Sequence, residues 1–218
     1  MQDIHECSNL ESKINNTHFF TESSSIVKSV LYGESEYSKI DRKCLENKLL
    51  LYAASDLLKR KVHNVEGLIR GCFPPRIVTI NGLYLSLSHT IDYACATASF
   101  RPVGIDCEKI RPFSDYFIKK FTTYEEASVF DVIDDVTLTK IWCCKEAVSK
   151  AMGKGLNMDF RVINIYIEKD RLFAGIIKDS MDRTYKFSIN LYILGDIVMA
   201  LADSISAGVD IYEYRRHI

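Results

Sequence analysis

At 218 residues the chain has the length of one large domain or of two small fused halves. Its 47% hydrophobic and 26% charged residues exclude a disordered or fibrous chain. Lys and Arg number 28 against 29 Asp and Glu, a formal charge of −1, so the basic balance of a nucleic-acid-binding domain is missing and no nucleic acid partner is expected.

Residues 1–25 are polar and rich in Ser and Asn, with a short strand near His18–Thr21 at most. Met1 to Lys13 carries no apolar core of a secretory signal. The seven cysteines show no paired spacing, which points to free thiols in a reducing, cytoplasmic setting. The most apolar stretch, near the C-terminus, is cut by Asn190, Gly195 and Asp196, short of the about 20 residues of a membrane span, so no membrane partner is expected.

The spacing of Leu50, Ala53, Ala54, Leu57 and Leu58 predicts a helix over about 35–61 with one apolar face. Gly71, Pro74 and Pro75 break it off from an alternating strand, Leu83, Leu85 and Leu87, whose hairpin partner is Tyr93–Ser99. After Pro102 comes Val103-Gly104-Ile105-Asp106-Cys107-Glu108. A helix follows Thr122, where Thr122-x-x-Glu125 has capping-box spacing. A second long helix over about Leu138–Met152 stops at Gly153 and Gly155. The tail returns to strands, with Tyr185, Phe187, Ile189, Leu191 and Ile193 alternating before a last strand over Asp196–Ala202.

Two stretches repeat at one constant interval. Leu83-x-Leu85-x-Leu87 matches Phe187-x-Ile189-x-Leu191, and Asp92, Ala96 and Ala98 match Asp196, Ala200 and Ala202. Each pair follows a long helix. A duplicated helix-then-sheet unit is the expectation, with halves 1–103 and 104–218 and a site at their seam.

Four constellations carry possible chemistry. In a strand, Asp106 and Glu108 face one way and Cys107 the other, and two hard oxygen donors on one face suit Mg²⁺. Alone, D-x-E is more often an exposed acidic strand end. Trp142, Glu146, Ser149, Lys150 and Gly153 share one ridge of the second long helix, where a carboxylate and lysines can meet a metal and a polyphosphate. An i,i+4 Glu146–Lys150 surface pair explains the same spacing. Gly153-Lys154-Gly155 is a helix C-cap by default, with Lys154 as a phosphate contact. Ser88-His89-Thr90, at a strand end, is either a turn or a phosphate holder; it lacks a hydrolase nucleophile context. The five histidines are scattered, and no Cys/His spacing fits zinc.

In order, SLSHT, VGIDCEKI, FTTYEEA and IWCCKEAVSKAMGKGL resemble the motifs of the 4′-phosphopantetheinyl transferase superfamily, in particular its surfactin-type single-chain branch. The resemblance covers about residues 45–202. It implies an α+β fold of two pseudo-two-fold-related halves, each a helix with an antiparallel sheet, in a monomer. It implies transfer of 4′-phosphopantetheine from coenzyme A to a serine of an acyl or peptidyl carrier protein, releasing adenosine 3′,5′-bisphosphate, in fatty acid, polyketide or nonribosomal peptide synthesis. By position, Asp106, Glu108 and Glu146 match the Mg²⁺ carboxylates, with Mn²⁺ as an alternative ion. Glu146 also matches the acceptor of the serine proton. Lys150 matches the lysine on the coenzyme pyrophosphate, Lys145 lies beside the coenzyme, and Ser88 and His89 match the pair near its 3′-phosphate. Glu125 matches the glutamate of the F-(S/T)-x-x-E motif.

Two family features are absent. The Gly-Lys-Pro before the Ser-His strand is replaced by Phe73-Pro74-Pro75-Arg76, and an arginine of the first helix aligns with Leu51. Arg70 or Arg76, with Lys39, Arg42 and Lys43, are the candidate replacements. Residues Arg111–Lys120 are either a docking loop for an acidic carrier or a buried aromatic loop. The competing functions are another Mg²⁺-dependent phosphate-ester hydrolase and a non-catalytic coenzyme- or carrier-binding protein.

Overall fold

The computed structural model describes residues 19–22, 25–31, 39–62, 68–69, 75–77, 80–130, 133–176 and 184–205. The chain divides into two compact units, Met1–Phe100 and Arg101–Ile218. Both are α+β: among the described residues unit 1 has one helix and unit 2 several, each with an antiparallel sheet.

Unit 1 holds strands β1 (Phe19–Glu22) and β2 (Ser25–Leu31), helix α1 (Lys39–Leu58), a two-stranded ribbon of β3 (Leu68–Ile69) and β4 (Arg76–Ile77), and the hairpin β5 (Tyr84–His89) and β6 (Tyr93–Ser99). Its main sheet runs β1-β2-β6-β5. Of the predicted apolar stripe of α1, Leu50, Ala53 and Ala54 are enclosed and Leu57 and Leu58 half-buried; with Leu49 they pack with Leu85, Ala94, Ala96 and Ala98. Alanines on β6 let the helix lie close, and larger residues there would push it away.

Unit 2 holds β7 (Val103–Lys109), the short helices α2 (Asp115–Phe121) and α3 (Tyr124–Ala127), the long helix α4 (Asp135–Ala151), and β8 (Ile163–Glu168), β9 (Arg171–Ile176), β10 (Tyr185–Leu194) and β11 (Ile197–Ser204). The sheet runs β7-β11-β10-β9-β8. Asp134 caps α4, its carboxylate accepting from the Thr137 N–H at 2.7 Å. α4 lies across β7 and β11, with Ala147 and Val148 fully buried.

Gly104 sets that packing. A β-carbon placed there would sit 1.9 Å from the Ala147 carbonyl oxygen and 2.6 Å from the Ala151 nitrogen. Both are backbone atoms, so nothing can rotate aside. The glycine of the V-G-I-D segment is required by close approach of strand and helix.

The hairpins carry one register at the predicted interval. Leu85 pairs Ala98 and Leu87 pairs Ala96; Ile189 pairs Ala202 and Leu191 pairs Ala200.

Three elements differ from expectation. Residues 115–121 form a helix, started by Ser114, rather than a loop. β2 lies in a stretch without clean alternation. The β8–β9 hairpin turns through Lys169 and Asp170, both at positive φ (51° and 60°), without the Gly or Asn that marks such turns in sequence. Cys95, Cys107, Cys143 and Cys144 are free and buried, as expected. Cys44 is disulfide-bonded, which corrects the expectation of free thiols throughout. Among the described residues no helix is long and apolar enough to cross a membrane.

The close approach at Gly104 yields a direct test. Gly104→Ala is expected to cost about 3 kcal/mol or more of stability, measured by urea unfolding. An unchanged midpoint would show that β7 and α4 are not held this tightly.

Candidate active site

The even-numbered residues of β7 share one face. Gly104 places that face against α4, so Asp106 and Glu108 follow it along the strand on the helix side. From α4, Lys150 reaches across, its Nζ donating to Asp106 Oδ1 at 2.6 Å. Asp106 is buried and Glu108 half-buried. Glu146, one helical turn before Lys150, is only 7% exposed. The structure thus brings together the two carboxylates of the strand, the carboxylate of the helix and one lysine.

The acids destabilise one another's charge. Burial, then Asp106 and Glu108, push the Glu146 carboxyl up to about 7, against the opposing pull of Lys150. Burial and Asp106 likewise raise Glu108. For Lys150, burial works against the charge, but Asp106 and Glu146 outweigh it and hold the ammonium above its ordinary range. One cation facing three carboxyl groups leaves net negative potential, and hard oxygen donors of this kind fit a divalent cation. They are not gathered into a ready-made cage: among the described residues no group of three acids, histidines or cysteines stands in metal-holding arrangement.

Lys145, expected beside the coenzyme, lies in the interior of unit 2. Its ammonium is fully enclosed, donating to Glu126 Oε2 at 2.7 Å and to the Phe160 carbonyl at 2.9 Å. The predicted capping box shifts by one residue for the same reason. Thr123 N–H donates to Glu126 Oε2 at 2.9 Å, and Glu126 N–H donates to Thr123 Oγ1 at 3.3 Å, while Glu125 is exposed. Glu126 Oε1 also accepts from the Ile165 N–H at 3.1 Å. This buried carboxylate ties α3, α4 and β8 together and sets the roll of the helix that carries Glu146. Sequence reading missed it because Glu125 fits the motif spacing equally well; the two polar residues Thr122 and Thr123 were the available signal.

Segment 111–120 divides between its two expected roles. Phe113 and Phe117 pack with Phe121, Trp142 and Phe160, with Phe117 and Trp142 centroids 4.9 Å apart. Tyr116 is 71% exposed with the Lys120 ammonium 4.3 Å from its ring. Met152 is the α4 C-cap, Gly153 follows it in the left-handed region at φ 66°, and half-buried Lys154 comes next. Cys143 and Cys144, flanking the site, are raised by burial and so are not thiolates.

In unit 1, Ser88 and His89 end β5, with Ser88 buried and His89 exposed. His89 Nδ1 lies 3.3 Å from the carboxylate of Glu46, a buried acid on α1 that sequence reading did not single out. Arg42 lies one turn before Glu46 on the same face of α1, and Lys43 is exposed. Thr90 makes the turn, its Oγ1 donating to Asp92 Oδ1 and accepting from the Tyr93 N–H. Arg70 and the side chains of Lys39 and Arg76 lie outside the described residues.

A family model described as the 4′-phosphopantetheinyl transferase superfamily matches residues 102–202, the span that contains β7, α4 and all four charged residues. The chain is 35% identical over 94 residues to a holo-[acyl-carrier-protein] synthase of Campylobacter fetus subsp. fetus, covering 80% of that protein and 40% of this chain. The chain belongs to the 4′-phosphopantetheinyl transferase superfamily. It is also 39% identical over 83 residues to the 4′-phosphopantetheinyl transferase HetI of Nostoc, and 26% identical over 115 residues to the transferase Sfp of Bacillus subtilis. Those matches cover 35% and 51% of the two relatives.

Two outcomes test this electrostatic picture. Glu146 is raised above the ordinary glutamate value of 4.5, so its contribution to stability is full below that pH and is lost as pH rises through about 7. In metal-free buffer, Glu146→Gln is expected to stabilise the protein at pH 8 by about 2 kcal/mol, a Tm gain of roughly 5 °C, and to change little at pH 4. Lys145→Met is expected to cost about 3 kcal/mol because it strands Glu126, and Glu126→Gln in the same chain should recover part of the loss in a double-mutant cycle.

Proposed function

We propose that this protein transfers the 4′-phosphopantetheine arm of coenzyme A to a serine of an acyl or peptidyl carrier protein. The observation that carries the reading is the cluster of Asp106, Glu108, Glu146 and Lys150 on β7 and α4, inside the span matched by the family model. Asp106, Glu108 and Glu146 are the residues to hold Mg²⁺, or Mn²⁺ in its place. When bound, the ion neutralises charge on the coenzyme pyrophosphate.

The serine hydroxyl attacks the β-phosphate of coenzyme A. A new P–O bond to the serine forms as the bond to the nucleotide phosphate breaks, and adenosine 3′,5′-bisphosphate leaves. Glu146 takes the serine proton, and a carboxyl raised to about 7 is suited to that exchange near neutrality. Lys150 offsets negative charge on the pyrophosphate, which requires it to share its contact with Asp106. Lys154, just past the helix end, is a second phosphate contact. Lys145 positions α4 and does not touch the substrate.

The same reading assigns the coenzyme's 3′-phosphate to Ser88 and His89, with Arg42, Lys43, Lys39 and Arg76 as supporting cations. It takes the two units as a duplicated, pseudo-two-fold pair within one monomeric chain. The exposed Tyr116, Lys119 and Lys120 of α2 suit an acidic carrier.

Intact mass of an apo carrier protein, incubated with this protein, coenzyme A and Mg²⁺, is the test. A gain of one phosphopantetheine arm is expected, lost on omitting the metal and reduced at least about a hundredfold by Glu146→Gln. Hydrolysed coenzyme without carrier modification would replace this reading with a phosphodiesterase.

A further inference from the structure

Helices α1 and α4 end in the same way. Lys59 N–H donates to the Asp56 carbonyl and Arg60 N–H to the Ser55 carbonyl, at 3.3 and 3.2 Å. Gly153 N–H donates to the Lys150 carbonyl and Lys154 N–H to the Ser149 carbonyl, both at 2.9 Å. The pivot is left-handed in both, Lys59 at φ 53° and Gly153 at φ 66°. Counting back from these caps aligns the buried Leu49, Leu50, Ala53 and Ala54 with the buried Cys143, Cys144, Ala147 and Val148. The strands align equally well. Lys28 pairs Ala96 across β2 and β6, and Asp106 pairs Ala200 across β7 and β11, the two alanines being equivalent in the repeated hairpins.

On this alignment the charged cluster of unit 2 has a counterpart of opposite sign in unit 1. Lys28 stands where Asp106 does, Asp56 where Lys150 does, and Tyr52 where Glu146 does. The Asp106–Lys150 ion pair becomes a Lys28–Asp56 ion pair, its lysine side chain 6% exposed. Ile26 takes the place of Gly104. Beside the contact of β2 with α1, unit 1 has an open cavity of about 550 Å³. Ile26 and Val27 line it together with Asp56, Lys59, Arg60 and Lys61. Those last three cations are exposed, and among the described residues no ion pair or side-chain hydrogen bond engages them. The Asp56 carboxylate is already matched by Lys28. Lys59 is held left-handed where glycine would be unstrained.

We propose that this pocket, at the end of α1, binds a phosphate-bearing small molecule. Three cations at the rim supply charge-assisted donors and outweigh the partial negative charge of the helix end. The volume suits a small ligand, and half-buried Ile26 offers apolar surface to its uncharged part. The proposal does not depend on the transferase reading, because it uses none of the residues assigned to that reaction.

The test is a titration of the full chain with inorganic pyrophosphate in Mg²⁺-free buffer, followed by amide NMR shifts. Saturable shifts are expected over Ser55–Val62. Arg60→Gln with Lys61→Gln should weaken them at least about tenfold. The charge-keeping Arg60→Lys with Lys61→Arg should stay within about twofold, which also reports that the fold is intact. His89→Ala, which removes a proposed coenzyme contact, should leave the shifts at 55–62 unchanged. Absence of saturable shifts there, or equal affinity in the double glutamine variant, would overturn the proposal. So would response of this segment to an acidic peptide but not to pyrophosphate.

Discussion

The contact between Gly104 on β7 and the backbone of α4 at Ala147 governs the rest of unit 2. A strand and a helix normally stand apart by the width of their side chains. Here one residue without a β-carbon removes that spacer, and the next residues on the same strand face, Asp106 and Glu108, come within reach of the helix. The 2.6 Å contact of Lys150 with Asp106 follows from that approach. The buried alanines of α4 and β11 act in the same direction, since each bulky replacement would lift the helix and separate the charges.

Close approach in a buried setting has an electrostatic consequence. Carboxyl groups that share one lysine and little water cannot all ionise freely, and Glu146 responds most, near neutrality. Burial beside two other acids is what makes this group hold its proton to a higher pH than an ordinary glutamate. Glu126 and Lys145 show the other use of buried charge. Their pair is satisfied on all sides by Thr123, Phe160 and Ile165, so it fixes geometry and leaves no charge for a ligand.

The parallel between the two units sharpens this distinction. The helix-end hydrogen bonds of α1 and α4 match, and so do the Leu85–Ala98 and Leu87–Ala96 pairings with Ile189–Ala202 and Leu191–Ala200. Among the aligned positions that differ, isoleucine stands for glycine, lysine for aspartate and aspartate for lysine. The ion pair between strand and helix is kept with its signs exchanged, and the cations that line the cavity of unit 1 lie beyond it at the helix end.

Periodicity in the sequence determined much of this protein. The stripe from Leu50 to Leu58 and the alternation from Leu83 to Leu87 encode burial directly, because side-chain direction repeats with the helix and strand period. The spacing of Asp106, Glu108, Glu146 and Lys150 was legible as well, since a two-residue and a four-residue step each fix a face. The tertiary structure alone decided three matters. Lys145 and Lys150 are equally basic in sequence, yet one points into a closed ion pair and the other across to Asp106, a matter of which side of α4 meets the sheet. Glu125 and Glu126 are adjacent and alike, and only the packing of β8 against α3 selects Glu126 as the buried one. The cavity at Ile26 has no local signature at all. It arises beside the Lys28–Asp56 contact of β2 with α1, and the spacing of segments distant in the chain is a property that no single stretch of residues encodes.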